Sequence, residues 1–122
     1  MTPPLFDLMA LARIECQPLG PAQPYPDAQV DAQRVALPGW TLHEQGLRKR
    51  FTFATWTQTI EFVNALARIA HVQDHHPDLE VSYGHCTVRW STHSVGGLSL
   101  KDFVCAARTE SLNCIRDQAS EQ

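Results

Sequence analysis

Histidines are concentrated in one short stretch of this chain, which holds five of the six. Four of them, His71, His75, His76 and His93, occur with Pro77 in a spaced pattern. Histidine can both donate and accept a proton near neutral pH, and its neutral ring is a common metal ligand. Such a cluster in a chain of 122 residues therefore predicts either proton-transfer chemistry or a metal site.

The composition is that of a soluble globular protein. A length of 122 residues fits one domain, and 43% apolar with 19% charged residues is ordinary for such a domain. The formal net charge is −3 and no basic run exceeds Arg48-Lys49-Arg50, which argues against nucleic acid as a partner. No segment approaches the ~18 consecutive apolar residues of a membrane span, and no basic leader precedes the first apolar residues. We therefore expect a cytoplasmic protein with no membrane partner.

The cysteines predict no metal or redox motif. The chain has Cys16, Cys86, Cys105 and Cys114, and no pair of them has CxxC spacing. That spacing marks many zinc and thioredoxin-like sites, so neither is predicted here. Free and mostly buried thiols in a reducing compartment are the simpler interpretation.

The N-terminal residues differ in composition from the rest of the chain. Residues 5–14 can line a short amphipathic helix. The prolines and glycine between positions 18 and 26 disfavour regular structure. We therefore predict an N-terminal extension and Pro-rich linker over residues 1–26, followed by a compact domain over residues 27–122.

Hydrophobic periodicity and capping patterns predict seven elements in that domain. They are a helix from Asp27 to Ala36, strands at 40–44 and 47–53, a helix from Thr55 to about Val72, strands at 79–83 and 86–92, and a helix from Ser99 to about Cys114. The apolar stripe of the middle helix is expected at Ile60, Val63, Leu66, Ala67 and Ala70. Strands joined by hairpins form an antiparallel sheet, and helices with one apolar stripe pack on one face of it. The predicted fold is α+β, a two-layer sandwich with a four-stranded antiparallel sheet in the order α-β-β-α-β-β-α.

The predicted elements bring the histidines toward two loops. His71 and His75 are four residues apart, which places them on one face if the helix continues that far. His93 follows the last strand, so two loops carrying imidazoles could line a shared cleft. The HxxxH spacing with neighbouring Asp74 or Asp78 also suits zinc, although the HExxH motif is absent. Spacing alone leaves both interpretations open.

The spaced residues form the pattern His71-x3-His75-His76-Pro77-x5-Tyr83-x9-His93-x8-Asp102. This pattern resembles the signature of the pterin-4a-carbinolamine dehydratase family. The Ser91-Thr92-His93 and Gly97-Leu98-Ser99 segments are similar as well, and the resemblance covers about residues 27–115.

The resemblance implies a fold and an activity. The family has a four-stranded antiparallel sheet with helices on one face, which agrees with the predicted elements. Its members remove water from 4a-hydroxytetrahydropterin to give the quinonoid dihydropterin, in the recycling of the cofactor of aromatic amino acid hydroxylases. No metal or organic cofactor takes part. The resemblance therefore implies a pterin substrate, a functional link to such a hydroxylase, and a homodimer or homotetramer.

The resemblance also implies roles for particular residues. His75 and His93 would carry the proton transfers, in either order, and His76 would complete the catalytic set mainly by holding the pterin. Asp102 would orient His93 or bind the substrate edge. The remaining predicted substrate-binding residues are Tyr83, which would shape the pocket, and Ser91 and Thr92, which would offer polar contacts.

Two alternatives stay open at this stage. Asp102 is also the third helical residue of a capping box that begins at Ser99, which explains it without any role in chemistry. The whole domain could instead serve as a non-catalytic protein-binding module, since some relatives act as a dimerisation cofactor for a transcription factor.

Overall fold

A computed structural model describes residues 5–112. The helices are α1 (Leu8–Arg13), α2 (Asp27–Arg34), α3 (Trp56–Gln73) and α4 (Leu100–Glu110), and the strands are β1 (Thr41–His43), β2 (Gly46–Thr52), β3 (Asp78–Ser82) and β4 (His85–Trp90). Two short 3-10 helices lie at Gln17–Leu19 and His93–Val95. The strands form one antiparallel sheet in the order β1-β2-β4-β3. The predicted α+β fold is confirmed, and the hairpins fall close to their predicted positions.

The central strand β4 follows the alternation predicted for it. Cys86, Val88 and Trp90 point into the core and have no exposed surface. Strand β4 pairs with β2 on one side and with β3 on the other, for example through Lys49 and Leu79, which both lie opposite Val88. Apolar residues at every second position direct one face of β4 into the core, and Thr87 on the opposite face is also buried.

The buried face of α3 is rotated relative to the predicted stripe. Ala67 is exposed, whereas Phe62, which is absent from that stripe, is completely buried. The Phe62 ring lies 4.8 Å from the Phe51 ring and 5.1 Å from the Phe53 ring, measured between centroids. A buried aromatic ring contributes more apolar contact than an alanine, so this cluster determines which side of the helix faces the sheet.

Helix α3 ends before His75, so His71 and His75 do not lie on one face of it. Gln73 is its last residue, and Asp74 adopts the left-handed conformation with φ 50° and ψ 45°. His75 therefore lies beyond the helix, as the predicted end near Val72 implies, and the condition under which His71 and His75 would share one helical face is not met. Asp and Asn tolerate this conformation better than other non-glycine residues, which allows the chain to turn sharply there.

Helix α4 is enclosed on all sides. Phe103, Val104, Cys105 and Ala106 are consecutive and none has exposed surface. One side of α4 faces the sheet and α3, and α1 packs against another side, where Leu11 is completely buried. The predicted extension thus shares the core of the domain through residues of α1. The end of α4 predicted near Cys114 lies outside the described residues. Within residues 5–112, no helix is long and apolar enough to cross a membrane.

Candidate active site

Asp102 is the centre of a buried hydrogen-bond network. Its carboxylate has no exposed surface, and its Oδ1 lies 2.6 Å from His75 Nε2. Its Oδ2 accepts from Thr92 Oγ1 at 2.7 Å and from the backbone N–H of Ser99 at 3.0 Å. Ser99 Oγ in turn lies 2.8 Å from Thr92 Oγ1. One carboxylate therefore joins the start of α4, the loop after β4 and the loop after α3.

The position of the proton follows from these contacts. A carboxylate can only accept hydrogen bonds, so His75 must donate from Nε2. The Thr92 hydroxyl gives its single proton to Asp102, so the hydrogen bond between the two hydroxyls is donated by Ser99. His75 Nδ1 is then the ring nitrogen available to exchange a proton with another molecule.

The His75 imidazole is held on further sides. Its backbone N–H donates to the carbonyl of Ala70 at 3.1 Å, which ties it to the last turn of α3. The ring stacks on Trp90 with centroids 5.6 Å apart and planes inclined by 14°. Trp90 is itself fixed, because its Nε1 donates to Thr109 Oγ1 at 3.1 Å. Only 11% of the His75 side chain remains exposed, so the ring presents a narrow edge to solvent.

The loop that carries His93 is anchored next to this network. Thr92 N donates to the carbonyl of Gly97 at 2.8 Å, and this bridge closes residues 92–97 into a tight loop. Gly96 has φ 66°, a value that a glycine adopts at little cost. His93 follows Thr92 directly and is exposed. The network thus brings the backbone at His93 toward Asp102, while the His93 side chain remains free to meet a ligand.

The other predicted site residues are placed less centrally. His76 is exposed and follows His75 in the same loop. Tyr83 is 66% exposed at the turn between β3 and β4, and its carbonyl accepts from Thr59 Oγ1 at 2.8 Å. Ser91 is half-buried and lines a cleft of about 80 Å³ together with His93. Ligand pockets are typically larger than about 300 Å³, so this cleft alone could accept only part of a ring.

A larger apolar cavity lies at a different place. It has a volume of about 340 Å³, and it lies between the N-terminal residues and the start of α4, where Phe6, Tyr25 and Leu100 line it. Ser99 is the residue it shares with the Asp102 network, and none of the histidines lines it. Among residues 5–112, no three His, Cys, Asp or Glu side chains are grouped closely enough to hold a metal ion.

The pairing of His75 with Asp102 was not predicted. The sequence links Asp102 with His93, the substrate or the capping box, and it assigns no partner to His75. The capping box is present, because Ser99 and Asp102 bond each other at the start of α4. The only sequence signal for the pairing is that both residues belong to the same family pattern.

Comparisons with known proteins show the family of the chain. The family profile described as pterin 4 alpha carbinolamine dehydratase matches residues 23–112. The chain belongs to the pterin-4a-carbinolamine dehydratase family. A relative from Chromobacterium violaceum is 45% identical over 104 residues, which are 85% of this chain and 96% of the relative. A relative from Stenotrophomonas maltophilia is 48% identical over 111 residues, which are 88% and 96% of the two chains. Both bear the family's name as a provisional assignment.

Solved structures of dehydratase-like proteins share the fold. A transcriptional coactivator/pterin dehydratase from Brucella melitensis superposes with a TM-score of 0.69 at 24% identity, covering 77% of this chain and 99% of its own. A pterin dehydratase-like protein identified as a RuBisCO assembly factor in the α-carboxysome gives a TM-score of 0.51 at 24% identity, covering 60% and 84%. At these identities the likeness concerns the fold alone.

Proposed function

We propose that the protein catalyses the dehydration of 4a-hydroxytetrahydropterin to quinonoid dihydropterin by general acid–base catalysis. Family membership and the buried pair of His75 Nε2 and Asp102 Oδ1 at 2.6 Å support this proposal. The pair is the observation that carries it, because it fixes one imidazole in a single tautomer with its other nitrogen available. We place the reaction in cytoplasmic pterin recycling for an aromatic amino acid hydroxylase, and we expect a homodimer or homotetramer.

The reaction needs two proton transfers. The carbon–oxygen bond to the hydroxyl group breaks, and the leaving oxygen takes a proton to depart as water. A proton leaves the adjacent ring nitrogen as the double bond forms. Groups that titrate near neutral pH are suited to both transfers. In the proposal His75 exchanges one proton through Nδ1 and His93 exchanges the other.

The surrounding residues have supporting roles in this proposal. Asp102 holds His75, and its carboxylate has no exposed surface through which to contact the substrate. His76, exposed beside His75, donates or accepts a hydrogen bond at the polar edge of the pterin. Ser91 lines the small cleft beside His93, where it would offer a polar contact to the ring. Tyr83 lies at the β3–β4 turn, at the opposite end of the hairpin from Ser91, so it is left out of the proposed binding site. Thr92 acts through its bond to Asp102 and through its position before His93.

A dehydration assay tests the proposal. The purified protein, treated with chelator, is mixed with freshly generated 4a-hydroxytetrahydropterin, and the rate of water loss is compared with that in buffer. We expect clear acceleration, and His75→Ala and His93→Ala should each lower kcat by about 10²- to 10⁴-fold, the usual contribution of general acid–base catalysis. His43→Ala is the matched control, because His43 is an exposed histidine of β1 outside the family pattern.

Three outcomes would contradict this assignment. Wild-type protein without acceleration over buffer would exclude the activity. Loss of activity on chelation, with recovery on adding a metal, would replace imidazole catalysis by a metal site. An equal decline in all three histidine variants would indicate general destabilisation rather than chemistry.

A protein-binding role is the second candidate, and it is favoured by one feature of the sheet. Strand β3 is an edge strand whose five residues are all exposed, so its unpaired backbone groups could accept a strand from a partner. Stable binding of another protein by the double variant of His75 and His93, with no dehydration by wild type, would favour this candidate over the enzyme.

A further inference from the structure

Residues before the region matched by the family profile make direct contact with the end of α3. Gln73, the last residue of that helix, is 2% exposed. Its Oε1 accepts from the backbone N–H of Cys16 at 2.8 Å, and its Nε2 donates to Glu15 Oε2 at 2.9 Å. Gln17 Nε2 donates to the carbonyl of Val72 at 2.9 Å. The last turn of α3 is therefore fastened to residues 15–17.

Helix α4 holds the same segment from the other side. Arg108 Nη2 donates to the carbonyl of Ile14 at 2.8 Å and to Glu15 Oε1 at 3.2 Å. The hydrogen bond from Gln73, with the Arg108 guanidinium as the second cause, keeps the pKa of Glu15 below its ordinary value. Glu15 is thus a carboxylate between two donors, and residues 14–17 bridge α3 and α4.

We propose that Gln73, clamped by Glu15 and Cys16, is a positioning residue for His75. His75 lies two residues after Gln73, and its backbone N–H bonds to Ala70 in the turn that the clamp fastens. The ends of helices ordinarily fray. Fraying of this turn would displace the His75 imidazole, because the His75 backbone is bonded to it. The bond of His75 to Asp102 tolerates little movement, since a displacement of about 1 Å can cost a hundredfold in rate. This inference rests on the proposed function for its kinetic part only.

The chemistry of the clamp explains why an amide occupies position 73. The Cys16 N–H needs an acceptor and the Glu15 carboxylate needs a donor, and a glutamine side chain supplies both. A glutamate at position 73 would bring two carboxylates together. A leucine would leave the buried Cys16 N–H without a partner, which costs about 1–3 kcal/mol for a typical buried donor.

A swap of amide and carboxylate tests this geometry. Gln73→Glu alone should lower kcat by about tenfold to a hundredfold with a smaller change in KM, because chemistry rather than binding depends on the imidazole. Adding Glu15→Gln to it restores a donor opposite an acceptor, so the double variant should recover kcat to within about threefold of wild type. Gln73→Leu provides a third variant that introduces no charge.

The control is a second buried glutamine. Gln33 is 1% exposed, and it bonds the backbone of Phe6 through Oε1 at 2.9 Å and Nε2 at 2.7 Å. It therefore fastens the N-terminal residues at another place, away from α3. Gln33→Leu should lower the urea midpoint as Gln73→Leu does, while leaving kcat and the pH profile unchanged.

Nitrogen NMR of the imidazoles supplies a readout that is independent of activity. In wild type the ¹⁵N shifts of His75 should report a proton on Nε2, and Gln73→Leu and Gln73→Glu should shift them toward the averaged tautomers of a free ring, whereas Gln33→Leu should not. Unchanged His75 shifts in both Gln73 variants, or no recovery in the double variant, would overturn the inference. Absence of dehydratase activity in wild type would refute the proposed function but leave this spectroscopic test intact.

Discussion

At the scale of single residues, Asp102 combines a structural and a proposed catalytic role in one carboxylate. Oδ2 closes the capping box with Ser99 and accepts from Thr92, while Oδ1 faces His75. The capping explanation and the site explanation are therefore compatible. A fully buried carboxylate that receives three hydrogen bonds is a stable anchor, because the low local dielectric strengthens each bond.

Replacing this carboxylate separates its two roles. Asp102→Asn keeps the volume and one acceptor but turns an N–H₂ donor toward either His75 or the pair of Ser99 and Thr92. We expect kcat to fall by at least about tenfold, because the tautomer of His75 is no longer fixed. The free energy of unfolding should fall by about 1–3 kcal/mol, measured by urea titration. A variant with normal kcat and lowered stability would leave Asp102 as a capping residue alone.

Cys86 provides a prediction about pH. Burial raises the pKa of its thiol from an ordinary 9.0 to about 11. The folded state therefore keeps a proton that the unfolded state loses between these values, so Cys86 stabilises the fold fully below pH 9 and loses this contribution as the pH rises to 11. The loss amounts to at most about 3 kcal/mol. Urea unfolding of wild type should weaken more steeply over pH 9–11 than that of Cys86→Ala, and parallel curves would contradict the prediction.

At the scale of helices and strands, local patterns in the sequence predict where elements begin better than how they end. The capping pattern at Thr55 is realised, since its hydroxyl accepts from Gln58 N at 3.2 Å, although Gln58 Oε1 bonds to Ala54 N rather than to Thr55. The end of α3 depends on a left-handed Asp74, and no glycine marks that position. The only signal nearby is Pro77, which restricts the residue before it and not the helix end itself.

The candidate site shows the same division between local and long-range information. The family pattern selects His75, His93 and Asp102. The predicted helices and strands place His75 after the middle helix, His93 after the last strand and Asp102 in the first turn of the last helix. The contact between His75 and Asp102 joins residues that are 27 positions apart, and it depends on how α3 and α4 pack. The side of α3 that faces the sheet likewise follows from the contact between the rings of Phe51 on β2 and Phe62 on α3. Such pairings arise from tertiary packing, which local periodicity does not encode.

At the scale of the whole molecule, the described part of the N-terminal segment, residues 5–26, packs against the core of the domain. Their proline content predicts a linker, yet Leu11 and Cys16 are completely buried and Tyr25 is nearly so. One signal in the sequence could have indicated this. The run from Phe103 to Ala107 is apolar on every side of α4, and a helix that is apolar all round must be covered all round. The sheet and α3 cover part of it, and α1 supplies additional cover.

Two leucine-sized residues of α1 allow this integration to be measured. Leu11 is completely buried and Met9 is 65% exposed on the same helix. Leu11→Ala should lower the free energy of unfolding by about 2–5 kcal/mol, because it leaves a cavity against α4, whereas Met9→Ala should change it by less than about 0.5 kcal/mol. Both variants should unfold in one transition by circular dichroism and by tryptophan fluorescence, since the N-terminal helix and the domain share a core. If Leu11→Ala were as stable as Met9→Ala, or if α1 melted before the sheet, residues 1–26 would be a tethered extension as their composition suggests.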